Sequence, residues 1–228
     1  MKKIIFGIFA HPDDEAFGPA GTLLQETKAG TELHLITLTS GQAGMNPDNH
    51  PDLGTVRLEE WKKAGALLGA VTMDFLEYQD GQLNNQAMIE IGQRLIDLIR
   101  LYLESADTDV QVEFMTLDLN GLTGHIDHIV AARAASFAFY KLKAADKHFT
   151  RIRFACLPRG LAPAVNTEWI FMEPGRLPEE INETVDARHL QNEILEVMKA
   201  HHTQRSDYEA NVQQQGDNLG LNYFIVKE

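Results

Sequence analysis

The chain has 228 residues, of which 44 % are hydrophobic, so it is long enough to bury a substantial core. Its formal net charge of −13 argues against a nucleic-acid partner, because phosphates require a basic surface. The sequence has no internal repeat, no low-complexity tract and no linker-like stretch rich in Gly, Ser and Pro, which favours a single domain over residues 1–228.

Short apolar runs alternate with amphipathic segments along the whole chain. Strands are predicted at residues 4–10, 33–38, 73–76, 110–117, 152–157, 168–172 and 183–186. Helices are predicted at residues 15–29, 56–68, 88–103, 129–142 and 190–201. This order predicts an α/β, Rossmann-like fold, in which a mainly parallel sheet carries helices on both faces.

The first strand leads directly into His11, Pro12, Asp13, Asp14 and Glu15. Pro12 cannot continue a strand ladder, so these side chains lie at the carboxyl end of the strand, where sites form in open parallel sheets. Imidazole and carboxylate are ligands that zinc accepts, and the segment therefore predicts a metal site. Taken alone, the acids are equally typical of a helix N-terminus, because carboxylates favour the positive end of the helix dipole.

A second polar cluster, Gly124 to His128, lies between the strand at 110–117 and the helix at 129–142. His125 and His128 are three residues apart, and Asp127 between them can accept an imidazole N–H. A solvated surface cluster is the alternative, but two such clusters at equivalent strand ends favour a shared site. The first turn lacks the G-x-G-x-x-G sequence of a dinucleotide-binding loop, so we expect no nucleotide there.

The two clusters resemble the motifs of the LmbE/PIG-L family of zinc-dependent N-acetylglucosamine-type deacetylases. Other segments that fit the family are Thr39 to Gly44, Arg57-x-x-Glu60, Asp80-Gly81 and residues 199–204. Ile126 departs from the pattern, because the family usually has Pro at that position. We expect this difference to change the stiffness of the turn more than the mechanism.

The resemblance implies one Zn²⁺ ion with three protein ligands, namely His11, Asp14 and His128. It also implies that Asp13 is the general base for the attacking water. His125 would stabilise the oxyanion and protonate the departing amine, while Asp127 would orient the imidazole of His125.

Weaker signals come from three other residues. Arg57 is expected to bind a substrate hydroxyl or acid group, with an ion pair to Glu60 within one helical turn as the alternative. Asp80 is either a sugar contact or part of an Asp-Gly turn. His201 either supports the site or only suits its position near a helix end.

The predicted function is therefore zinc-dependent removal of an N-acyl group, expected to be acetyl, from an amino-sugar or small sugar conjugate. One alternative is another metallohydrolase such as a phosphoesterase, although that reaction usually uses a second metal. The other is a carbohydrate- or metal-binding domain without activity, which would need neither Asp13 nor His125. Homo-oligomerisation is left open.

The chain begins with Met1-Lys2-Lys3 and an apolar run, as secretory leaders do. That run spans only residues 4–10 and ends at His11, so we expect a cytoplasmic protein. No stretch approaches the roughly 20 apolar residues of a membrane span. Cys156 is the only cysteine, which excludes a disulfide within the chain, and we expect it to be a buried hydrophobe.

Overall fold

A computed structural model describes residues 2–104, 109–162 and 175–228. Within these residues, the strands that form the sheet are β1 (Lys2–Phe9), β2 (Glu32–Thr39), β3 (Ala70–Tyr78), β4 (Val110–Leu117), β5 (Phe149–Cys156), β6 (Glu183–Asp186) and β7 (Leu221–Lys227). Their order across the sheet is β3-β2-β1-β4-β5-β7-β6. The first five strands are parallel, and β7 runs antiparallel to both β5 and β6. The prediction of a mainly parallel sheet is confirmed.

The α-helices of the described residues are α1 (Asp14–Phe17), α2 (Ala20–Lys28), α3 (Leu53–Leu68), α4 (Asn85–Glu104), α5 (Gly121–Gly124), α6 (Ile126–Ala145), α7 (Gln191–Lys199) and α8 (Arg205–Gln215). Single turns of 3-10 helix lie at Arg159–Leu161, Pro178–Glu180, Arg188–Leu190, His202–Gln204 and Gly216–Asn218. None of the helices in the described part of the chain combines the length and apolar character needed to cross a bilayer.

The sheet has a hydrophobic core on each face. Side chains alternate along β1, so Ile4, Phe6 and Ile8 face α4 and α6, whereas Ile5 and Phe9 face α2, α3 and α7. The expected arrangement of helices on both faces is therefore present. Cys156 is buried, as predicted.

One predicted helix differs from the structure, two elements were not predicted, and one predicted strand is not tested. The helix predicted at 15–29 is divided into α1 and α2, because Pro19 at the start of α2 has no N–H to continue the helical ladder. Residues 205–215 and 221–227 form a helix and a strand that the apolar pattern did not predict. The strand predicted at 168–172 lies outside the described residues.

The strand order brings distant polar segments to one edge of the sheet. β3, β2, β1 and β4 are neighbours, and their carboxyl ends point the same way. The segments that follow them contain Asp80, Gly41, His11 and His128 respectively. The polar residues that follow these four strands therefore meet above the end of β1.

Candidate active site

The three predicted metal ligands converge beyond the end of β1. Nδ1 of His11 lies 3.0 Å from Nε2 of His128, which lies 3.1 Å from Oδ1 of Asp14. Nδ1 of His11 and Oδ2 of Asp14 are 3.9 Å apart. A tetrahedral zinc ion with bonds of about 2.0–2.1 Å separates its ligand atoms by roughly 3.3 Å. Two of the three separations, 3.0 and 3.1 Å, are close to this value, and the third involves the other oxygen of Asp14. The assignment of these three residues as metal ligands stays a prediction.

The other ring nitrogens of the two histidines determine which atoms face the centre of this cluster. Nδ1 of His128 lies 3.1 Å from the carbonyl oxygen of Gly121 and must donate to it, which leaves a lone pair on Nε2. Nε2 of His11 faces Oδ1 of Asp80 at 2.9 Å and Oδ2 of Asp127 at 3.5 Å, so we assign its proton there. Lone pairs on both imidazoles therefore face the carboxylate of Asp14. Three electron-pair donors converging in a buried position fit a divalent cation.

The electrostatics of the cluster agree with a bound cation. Burial alone would lower the pKa of His11, but contacts with the carboxylates of Asp127 and Asp80 raise it to about 10. Burial would likewise raise the pKa of Asp14, but His128 and His11 hold it well below its usual range. Surroundings that favour an extra proton on an imidazole also favour a metal ion in the proton's place.

Asp80 and Asp127 support His11 from the side away from the proposed ligand position. Each carboxylate also accepts a backbone N–H, from Ala43 to Asp80 at 2.9 Å and from Gly81 to Asp127 at 2.7 Å. His11, Asp80 and Asp127 are themselves close enough to hold an ion, as are His11, His125 and His128. We favour the supporting role for the two acids because they contact Nε2 of His11, whereas Nδ1 of the same ring faces His128 and Asp14.

Asp13 is next to a predicted ligand, yet its carboxylate points elsewhere. Oδ2 of Asp13 accepts a hydrogen bond of 2.8 Å from Nη2 of Arg57. The residue has φ 117° and ψ −24°, a left-handed conformation that separates its side chain from that of Asp14. Burial raises the pKa of Asp13 to about 6, although Arg57 opposes the shift. A carboxylate with this pKa is suited to accept a proton near neutral pH.

Arg57 is buried beneath this turn. Its guanidinium donates to the carbonyl oxygens of Pro12 at 2.6 Å and Gly41 at 2.7 Å, as well as to Asp13. A Cβ at Gly41 would collide with the guanidinium, which explains the glycine in this loop. The alternative partner, Glu60, instead accepts two hydrogen bonds from Thr203. Contact between Arg57 and substrate stays a prediction.

His125 lies above the cluster as the N-cap residue of α6. Its ring stacks on that of His128, with centroids 4.7 Å apart, and meets the His11 ring edge-on at 4.9 Å. Burial and the two neighbouring imidazoles lower the pKa of His125 to about 4. A neutral His125 can donate from one nitrogen toward a substrate oxygen.

The predicted relationship between Asp127 and His125 takes a different form in the structure. Nδ1 of His125 accepts the backbone N–H of Asp127 at 3.2 Å, and this contact assigns the proton to Nε2. The Asp127 carboxylate faces His11 and Gly81. The backbone N–H of Asp127, and not its carboxylate, therefore orients His125. The carboxylate of Asp127 points toward the end of β1, because Asp127 lies in the first turn of α6.

The chain also resembles known proteins. Residues 6–139, more than half of the chain, match the model of the family described as PIG-L, GlcNAc-PI de-N-acetylase. A 1D-myo-inositol 2-acetamido-2-deoxy-alpha-D-glucopyranoside deacetylase from Rhodococcus jostii is 27 % identical over 86 % of this chain and 80 % of its own length. The chain therefore belongs to the PIG-L family, and the predicted resemblance is confirmed.

Two solved structures show how widely the fold is used. The N,N'-diacetylchitobiose deacetylase from Pyrococcus horikoshii has a TM-score of 0.66 at 18 % identity, over 99 % of this chain and 83 % of that one. GalB, the 4-carboxy-2-hydroxymuconate hydratase from Pseudomonas putida, also has a TM-score of 0.66. It is 14 % identical over 100 % of this chain and 97 % of its own length. Because one of these enzymes is a hydratase, the fold alone does not determine the reaction.

Proposed function

We propose that this protein is a zinc-dependent N-deacetylase that acts on an N-acetylated amino-sugar or a small conjugate of one. The observation that carries the proposal is the separation of two adjacent carboxylates. Asp14 lies with His11 and His128 in a three-donor cluster, whereas Asp13 lies outside it on Arg57. A metal-binding protein needs only the cluster. A hydrolase also needs a base that is near the ion and not bound to it.

In the proposed reaction, Zn²⁺ held by His11, Asp14 and His128 supplies Lewis acidity toward the amide carbonyl and the attacking water. Asp13 accepts the proton of that water, and Arg57 keeps its carboxylate in place. The Nε2–H of His125 donates to the carbonyl oxygen as negative charge develops there.

Collapse of the tetrahedral species then requires a proton on the nitrogen that leaves. Asp13 holds the proton taken from water and gives it to this nitrogen, which restores the Asp13 carboxylate for the next turnover. We assign this step to Asp13 and not to His125, because a neutral His125 that lost its Nε2–H would be left as an imidazolate. The products are acetate and the free amine of the sugar.

The relatives guide the choice of substrate. Enzymes named for acetamido-deoxyglucopyranosyl-inositol and for diacetylchitobiose share the presence of an N-acetylglucosamine unit. We therefore expect this unit in the substrate. A phosphoesterase is the less favoured alternative, because that reaction usually uses two ions and the proposal assigns one ion to His11, Asp14 and His128.

The decisive experiment compares the metal-free and zinc-loaded protein on a panel of substrates. The panel contains N-acetylglucosamine, its inositol conjugate and diacetylchitobiose, and the readout is free amine. We expect release with at least one conjugate, loss of activity after chelation and recovery with zinc. Asp13→Asn serves as the inactive control and His202→Ala as the surface control. Amine release that survives chelation, or none from any member of the panel, contradicts the proposal.

A further inference from the structure

Asp13 occupies a backbone conformation that a residue with a side chain rarely adopts. Its φ of 117° lies in the left-handed region, where Cβ crowds the backbone, so the surrounding structure must hold it there. The next residue, Asp14, turns back instead, and its Oδ2 accepts the N–H groups of Ala10 and His11 at 3.0 Å each. The unusual turn at Asp13 is what sends two consecutive carboxylates in different directions.

Glu15 contacts the backbone of this turn. Its Oε2 accepts the N–H of Asp13 at 3.2 Å, and its Oε1 lies 2.8 Å from Nε2 of His201. The side chains of Glu15 and His201 are both 0 % exposed. A carboxylate buried so completely beside Asp13 and Asp14 needs a donor or a positive partner, and His201 supplies it.

The segment that contains His201 is bound to α3, the helix that carries Arg57. His201 follows α7 and lies two residues before Thr203. The backbone N–H and the hydroxyl of Thr203 donate to the two carboxylate oxygens of Glu60 at 2.9 and 2.7 Å. Glu60 lies one turn beyond Arg57 on α3. The helix therefore holds Asp13 directly through Arg57, and it holds the segment that carries His201 through Glu60.

We propose that Glu15 and His201 form a positioning pair that keeps Asp13 in its left-handed conformation, with its carboxylate beside Arg57 and outside the ligand cluster. The pair acts on the reaction only through Asp13. This inference rests on the proposed function in so far as Asp13 is the base. It gives a role to the segment at residues 199–204, which supplies no metal ligand.

The kinetic test compares two replacements of His201. We expect His201→Ala to lower kcat by about 10-fold or more, a part of what a general base contributes, while KM changes by less than about twofold. His201→Gln retains an N–H donor toward Glu15 and should restore most of kcat. His202→Ala is the matched control, because the side chain of this neighbouring histidine is 68 % exposed.

A second comparison asks whether the pair acts through Asp13. In an Asp13→Ala background, His201→Ala should cost little further activity, because the group that it positions is already absent. An equally large loss in that background overturns the inference, as does a loss of bound zinc that accounts for the whole effect.

Crystal structures of the parent and the His201→Ala variant provide a readout that does not depend on activity. We expect Asp13 to leave the left-handed region and its contact with Arg57 to lengthen. An unchanged Asp13 overturns the inference. If His201→Ala does not fold, Thr203→Val gives the same comparison, because it removes one bond that anchors the segment. If the parent protein releases no amine, the proposed function fails, and these structures still decide whether the pair holds Asp13.

Discussion

Oδ1 of Asp80 lies 2.9 Å from Nε2 of His11, so the turn after β3 supports a side chain that follows β1. Asp80 therefore contacts the side of the ring opposite to Nδ1, which lies near His128 and Asp14. In metal sites, acids in this position orient the ligand and increase its basicity.

Replacing Asp80 should therefore weaken the metal site without removing a ligand. We expect Asp80→Ala to lower zinc affinity by about 10- to 100-fold, measured by competition with a chromogenic chelator. Asp74→Ala is a suitable control, since that carboxylate binds Tyr102 instead. An unchanged affinity in Asp80→Ala would mean that other contacts suffice to orient His11.

His128→Ala should remove most of the zinc while leaving the fold intact. The sheet and both cores are formed by apolar side chains, whereas the ring of His128 contacts His11, Asp14 and His125. Elemental analysis measures the metal, and circular dichroism measures the helix and strand content. Stoichiometric zinc in the purified variant would rule out His128 as a ligand.

Asp13→Asn should retain zinc and lose activity. The amide preserves the shape of the side chain but cannot accept the proton of water, so kcat should fall by at least about 10²-fold. Metal content and kcat are measured on the same preparation. If Asp13→Asn loses zinc and Asp14→Asn retains it, the roles of the two carboxylates are reversed.

His125 and Asp127 should respond differently to added metal. His125→Ala removes a donor that acts on developing charge, so kcat should fall far more than KM rises, and extra zinc should not help. Asp127→Asn disturbs a carboxylate that faces His11, so part of its loss should be recovered at high zinc. The comparison is made by measuring the activity of both variants over a range of zinc concentrations. Equal recovery of activity in the two variants, or no recovery in either, would contradict this assignment.

An ion-pair network far from the site predicts a pH effect on stability. Burial alone would raise the pKa of Glu26, but bonds from Lys3 and Arg153 lower it to about 2 in the folded state, against 4.5 in the unfolded chain. The folded-state pKa is depressed, so the stabilisation is complete above about pH 4.5 and disappears as the pH falls toward 2. Urea unfolding should show that Glu26→Gln is less stable than the parent at pH 7. The difference should shrink between pH 4.5 and 2, and a constant difference would contradict the prediction.

The meeting of His11, Asp14 and His128 could be predicted from the sequence because they lie immediately after two strong strand patterns. Their choice as metal ligands is what the family resemblance implies, and it stays a prediction. His11 and Asp14 follow β1, and the cluster at His128 follows β4, which is the neighbour of β1 in the sheet. Parallel strands place their carboxyl ends at one edge, so proximity follows from the pattern once the sheet is recognised.

The supporting contacts could not be predicted in the same way. The approach of Asp80 to His11 depends on the lateral order of three strands and on the shape of the turn at Gly81. The pairing of Glu15 with His201 joins residues 186 positions apart. Residues 205–215 were missed because this helix has no fully buried residue, and the half-buried Tyr208 and Val212 that pack against the core are too few to give a clear apolar pattern.

Asp13 is held by contacts that come from two distant parts of the chain. Residues 2–145, from β1 to the end of α6, contain the whole donor cluster, Arg57 and His125. His201 and Thr203 belong to a segment more than 50 residues further on. The residues proposed to bind metal therefore come from the first two thirds of the chain, whereas the contacts proposed to hold the base are completed only by residues near its end.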